Sequence, residues 1–125
     1  MEILLIDDDR DDLEIFIQAL DAVVDNLKCC TSSDPVSALR QLSCSNKLPD
    51  VVFLDINMPR LNGYEFVKEV KNAERLKDLD IILISNPPRE LVIPKISQYQ
   101  KVRYLVKPAS YDGLKHSLRQ LLETA

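Results

Sequence analysis

Val51-Val52-Phe53-Leu54-Asp55-Ile56-Asn57-Met58-Pro59 is the stretch on which the reading of this chain turns. Its first four residues are apolar without alternation, as in a strand buried on both faces. An aspartate follows directly. The same arrangement recurs along the chain. Ile3-Leu4-Leu5-Ile6 runs into Asp7-Asp8, Ile81-Ile82-Leu83-Ile84 runs into Ser85, and Tyr104-Leu105-Val106 runs into Lys107-Pro108. If these strands lie parallel, their C-terminal ends share one edge. Three carboxylates, a hydroxyl and an ammonium then meet at the edge where open α/β sheets bind ligands. Such a group suits a hard cation and a phosphoryl group.

Strand runs begin near residues 2, 27, 50, 80 and 102, with helical patterns between them. Asp12 to Val24 places Leu13, Phe16, Ile17, Leu20 and Val24 at helical spacing, and Asp34 to Leu42 carries Val36, Leu39 and Leu42. Asn62 to Ala73 carries Phe66, Val67 and Val70, and Ser110 to Leu122 carries four leucines. The alternation predicts an α/β fold: a five-stranded parallel sheet of order 2-1-3-4-5 with helices on both faces. Between Ser85 and Val102 a helix is due, yet Pro87, Pro88 and Pro94 fall there. Pro88 can open a helix, but Pro94 within it removes a hydrogen bond, so a short or irregular fourth helix is predicted. Asn62 with Glu65 reads as a capping box, and Ser110 as a cap. Asp9, Asp11 and Asp12 read as first-turn acids that favour the helix dipole.

Composition narrows the classes. The chain has 125 residues, 46% hydrophobic and 29% charged, which fits one globular domain spanning 1–125 with no output domain. A net charge of −4 disfavours nucleic acid as the main partner. No apolar run approaches the roughly 20 residues of a membrane span, and nothing reads as a signal peptide, so a cytoplasmic location is expected. Cys29, Cys30 and Cys44 have no metal spacing and read as free, largely buried thiols. His116 reads as a surface residue.

The segments Ile6-Asp7-Asp8, Leu54 to Pro59 with Asn62-Gly63, Ile84-Ser85 and Lys107-Pro108, in this order, resemble the receiver domain of bacterial two-component response regulators. The resemblance spans essentially the whole chain and implies a flavodoxin-like receiver fold. It implies Asp55 as phosphoacceptor, consistent with the ability of a carboxylate to attack phosphorus. It further implies Mg²⁺ bound by Asp8, Asp55 and the backbone carbonyl of Asn57, with Asp7 acting largely through water and the Asn57 amide left free. Lys107 pairs with the acceptor and then with the phosphoryl group, and its bond to Pro108 is expected to be cis. Ser85 matches the switch hydroxyl. Tyr104 matches the aromatic that turns inward from a half-buried resting position. The implied partners are a histidine kinase or a histidine phosphotransfer protein, and a downstream protein that reads the signal.

Three features depart from the pattern: Asn86 where a small residue is usual, Pro87 after it, and Gln98-Tyr99-Gln100-Lys101 where a Gly-Ala segment is common. They keep open a pseudo-receiver working unphosphorylated. An aspartate-nucleophile phosphatase needs a second aspartate two residues after the first, where this chain has Asn57. A flavodoxin-like cofactor binder needs a glycine-rich loop that two glycines do not supply.

Overall fold

The computed structural model describes residues 1–123; the last two residues of the expected domain lie outside the described residues. Strands β1 (Glu2–Ile6), β2 (Lys28–Ser32), β3 (Val51–Asp55), β4 (Asp80–Ser85) and β5 (Val102–Val106) alternate with helices α1 (Arg10–Val23), α2 (Pro35–Cys44), α3 (Gly63–Asn72), α4 (Arg89–Ile96) and α5 (Tyr111–Glu123). The sheet is parallel, in the order β2-β1-β3-β4-β5. Fold class and strand order are those read from the sequence.

The apolar runs explain the layering. Successive strand residues face opposite sides. Leu4, Ile6, Val52, Leu54, Ile81 and Leu83 therefore pack with Phe66, Val67, Val70 and Val92 of α3 and α4. Ile3, Leu5, Val51, Phe53, Ile82 and Ile84 pack with Leu13, Leu20, Leu114 and Leu118 of α1 and α5. Phe16 meets Phe53 edge to face at 5.1 Å, a favoured aromatic geometry. No helix among the described residues is long and apolar enough to cross a membrane.

The caps act as their chemistry requires. Asn62 and Glu65 form the reciprocal capping box of α3, and the Ser110 hydroxyl accepts the Gly113 N–H at 3.0 Å. Asp9 is the N-cap of α1, accepting from the N–H groups of Asp11 and Asp12. Asp34 caps α2, and its carboxylate also takes Arg60 at 2.9 Å, which ties the loop before α2 to the loop before α3.

Helix α4 has eight residues, the fewest of the five helices, and opens after Pro88. Pro94 sits inside it on the exposed side and the helix stops two residues later. His116 is exposed, as read. The cysteines correct an expectation. All three are free, but Cys30 and Cys44 are exposed and Cys29 is half-buried. Strand β2 lies at the sheet edge, which leaves its thiols poorly covered.

Gly63 is fixed by space. A Cβ there would lie 2.8 Å from the Cα of Ile56 and 3.2 Å from the Asp55 carbonyl oxygen. Both are backbone atoms of the segment that carries Asp55, so the start of α3 seats directly against it. Gly63→Ala should destabilise the fold by about 1–3 kcal/mol through overpacking. Urea unfolding would show this as a lower midpoint at unchanged slope, and an unchanged midpoint would contradict the close seating.

Candidate functional site

Strand register assembles the site. Ile6 stands opposite Leu54, Asp55 opposite Ile84, and Ser85 opposite Val106. The ladder continues one step into the loops, where Asp7 N–H donates to the Ser32 carbonyl at 3.1 Å and Lys107 N–H to the Ser85 carbonyl at 2.8 Å. Asp7, Asp55, Ser85 and Lys107 thus share the C-terminal edge of the sheet. Asp7, Asp8 and Asp55 offer carboxylate oxygens that all lie within 4.8 Å of one another. Asp8 is exposed; Asp7 and Asp55 are half-buried.

Local turns aim the two inner carboxylates. Asp55 Oδ1 accepts the Asn57 N–H at 3.2 Å, and Asp7 Oδ1 accepts the Asp9 N–H at 3.0 Å. These are aspartate turns of the kind that hold a side chain against its own loop. Asp55 Oδ2 is left facing Lys107, 3.8 Å from Nζ. The closer partner of that ammonium is Asp12 Oδ2, at 3.0 Å. No local pattern along the chain marks this contact. Asp12 reads there as a first-turn helix acid, and its partner lies 95 residues away.

Charge and burial compete at this edge. Burial pushes the Asp7 carboxyl up from 3.8 to about 6, with the Asp55 and Asp12 charges adding to it and the Asp9 amide and Lys107 opposing it. Asp55 is also raised, first by burial and then by Asp8 and Asp12, against the pull of Lys107 and the Asn57 N–H. Loss of water therefore leads, ahead of the crowding of like charges. Lys107 is held above the ordinary lysine value. Burial works against its charge, but the Asp12 hydrogen bond and the charges of Asp55, Asp12 and Asp7 outweigh that cost.

Three expectations need correction. The Asn57 side-chain amide is not free: its Nδ2 donates to the Ser85 hydroxyl at 3.3 Å, and Ser85 is 1% exposed. Tyr104 is already inward, 2% exposed, with its hydroxyl donating to the Pro87 carbonyl at 2.6 Å. Arg89 Nη1 donates to the Tyr104 carbonyl at 2.8 Å. A residue before proline is confined to extended geometry, so Pro87-Pro88 holds this loop over β5 and offers the phenol an acceptor. The Lys107–Pro108 bond is trans. Trans is the lower-energy form by about 0.5–1 kcal/mol, and the end of β5 brings Lys107 to the site without the cis bend.

The donor set fits a hard divalent cation. It is all oxygen, anionic and part-exposed, and burial and neighbouring like charges raise two of its carboxyls, a cost that a divalent cation would offset. A cluster of this kind can bind a metal and present a carboxylate nucleophile beside an ammonium and a hydroxyl.

A family model for the response regulator receiver domain matches residues 3–119. The chain belongs to that family. The probable C4-dicarboxylate response regulator DctR of Halalkalibacterium halodurans is 30% identical over 126 residues, covering 98% of this chain and 52% of that protein. The chain thus spans about half the length of that relative. The crystal structure of a phosphorylated cyanobacterial phytochrome response regulator, RcpA, superposes with a TM-score of 0.86 at 24% identity, covering 99% of this chain and 95% of that one. The Mn²⁺-bound form of response regulator Rcp1 gives 0.80 at 21% identity, covering 96% and 90%. These structures share the receiver fold, and receiver domains in general accept phosphoryl groups.

The Asp7 shift sets a pH dependence. Its folded value lies above its unfolded one, so between 3.8 and about 6 the fold retains a proton that the unfolded chain releases. Stability falls as pH rises through that window. Metal-free Asp7→Asn should therefore melt higher than wild type above this window and lose its advantage below it. Parallel melting profiles for the two proteins would show that Asp7 carries no such strain.

Proposed function

We propose that the chain takes a phosphoryl group from a phosphohistidine onto Asp55 in a Mg²⁺-dependent reaction and signals by binding a protein or by passing the group on. The observation that carries this reading is the position of Asp55. It ends the central strand as a half-buried carboxylate, sharing a metal-capable cluster with Asp7 and Asp8 and lying 3.8 Å from Lys107.

The chemistry follows from the residues. An Asp55 oxygen attacks phosphorus; the new O–P bond forms as the N–P bond to the donor imidazole breaks, and the nitrogen keeps the electron pair. The product is an acyl phosphate. The carboxylates of Asp8 and Asp55 and the Asn57 carbonyl would hold the cation, with Asp7 acting through water. When bound, Mg²⁺ neutralises charge on the transferring oxygens and offsets the repulsion among three carboxylates. Lys107 supplies a second, compact positive charge. The Ser85 hydroxyl donates to a phosphoryl oxygen once the Asn57 amide lets it turn. The donor is a histidine kinase or histidine phosphotransfer protein, and the setting is cytoplasmic. The RcpA neighbour solved phosphorylated and the Rcp1 neighbour solved with Mn²⁺ support the chemistry by likeness of fold.

The buried Tyr104 favours a second reading. With its hydroxyl on the Pro87 carbonyl, the aromatic has already completed the inward turn expected of a signalled state. A module of this kind presents its readout face without phosphate. Binding of a downstream protein, compared with and without a beryllofluoride mimic, separates the two: equal binding favours the unphosphorylated module.

Incubation with acetyl phosphate and Mg²⁺ should add one phosphoryl group, without sustained turnover, and Asp55→Asn should abolish the addition, as read by intact mass. Unchanged labelling of that variant would remove Asp55 from the role. Mg²⁺ at about a hundredfold excess over Kd should stabilise the fold by about 2.7 kcal/mol. Asp8→Ala should lose most of that gain, and a wild-type melting temperature indifferent to Mg²⁺ would rule out the metal site.

A further inference from the structure

Asp12 lies outside the three-carboxylate cluster, yet it is the nearer of the two acids paired with the site's ammonium. At 3.0 Å its contact with Lys107 is a charge-assisted hydrogen bond. At 3.8 Å the contact of Lys107 with Asp55 is an ion pair too long for a hydrogen bond. Asp12, Asp55, Asp7 and Lys107 line one cavity of about 320 Å³ between α1 and α5. The neighbouring acids of the same turn do not share this position. Asp9 spends its carboxylate capping α1, and Asp11 lines a separate outer groove with Asp8 and Arg10.

We propose that Asp12 is a positioning residue for Lys107: it holds the ammonium off the acceptor, so that the Asp55 carboxylate stays available to the cation and to phosphorus. The proposal rests on the phosphoacceptor reading above. The physical argument is one of competition. A single ammonium among several carboxylates settles where a hydrogen bond adds to the Coulomb attraction. Asp12 supplies that bond from the first turn of α1. Among the described residues no other side chain hydrogen-bonds the ammonium, so without Asp12 only the Coulomb attraction of Asp7 competes with closure of Lys107 onto Asp55. A carboxylate that is hydrogen-bonded to an ammonium is a poorer nucleophile and a poorer metal ligand. When Asp55 becomes an acyl phosphate, the added negative charge draws Lys107 away from Asp12. The lysine thus serves the product without blocking the reactant.

The test uses the whole chain and two readouts, Mg²⁺ affinity by calorimetry and acetyl phosphate labelling of Asp55. Asp12→Asn and Asp11→Asn remove the same charge from the same turn, so the second controls for the general field. Asp12→Asn should weaken Mg²⁺ binding about threefold more than the control does, the scale of a part-exposed ion pair, and should slow labelling in the same direction. Asp12→Glu, which keeps a carboxylate in reach of Nζ, should restore both. In a Lys107→Met background the excess effect of Asp12→Asn should vanish, because the residue acts through the lysine. An effect equal to that of Asp11→Asn, or an excess that persists without Lys107, would overturn the proposal, and so would a wild-type chain that binds no Mg²⁺. A wild type that binds Mg²⁺ but takes no label would overturn the phosphoacceptor reading instead; the Mg²⁺ comparison then still decides whether Asp12 positions Lys107.

Discussion

Everything at the functional edge depends on the in-register parallel pairing of β3 between β1 and β4. The pairing of Ile6 with Leu54 and of Asp55 with Ile84 brings residues from distant parts of the sequence to one line. A slip of one residue would turn Asp55 toward the opposite face of the sheet. The slip is resisted because both faces are packed: Val52 and Leu54 belong to one core, Val51 and Phe53 to the other. Gly63 closes the arrangement from outside, seating α3 against the backbone of Ile56. The core is thus the device that places the chemistry.

The site itself is held against its own electrostatics. Asp7 and Asp55 lose water on folding and keep like charges for neighbours, so both carboxyls are raised. One ammonium cannot satisfy four acids, and it sits closer to Asp12 than to Asp55. That imbalance is what a bound cation or an incoming phosphoryl group can exploit. A cluster balanced internally would have less affinity for the first and less room for the second.

The face around β5 and α4 is built differently. Two prolines fix the loop after β4, and its Pro87 carbonyl takes the Tyr104 hydroxyl while Arg89 takes the Tyr104 carbonyl. The Asn57 amide meanwhile engages the Ser85 hydroxyl. The aromatic and the hydroxyl are therefore each committed to a separate partner. Any rearrangement of this face would redistribute those contacts rather than swing an exposed ring inward.

The sequence by itself determined the strands, their order, the helix caps and four of the residues at the sheet edge. These rest on local rules: uninterrupted apolar runs, side chains at the spacing of one helix turn, and asparagine or serine where N–H groups lack partners. Asp7, Asp55, Ser85 and Lys107 were legible because each follows such a run directly. The tertiary structure decided what local rules cannot reach. Asp12 belongs to a helix turn by pattern, and its bond to Lys107 exists because α1 packs beside the loop leading to α5. The inward Tyr104, the engaged Asn57 amide and the exposed thiols of Cys30 and Cys44 are of the same kind. Each depends on which surface a side chain meets across the fold, and no spacing along the chain encodes that.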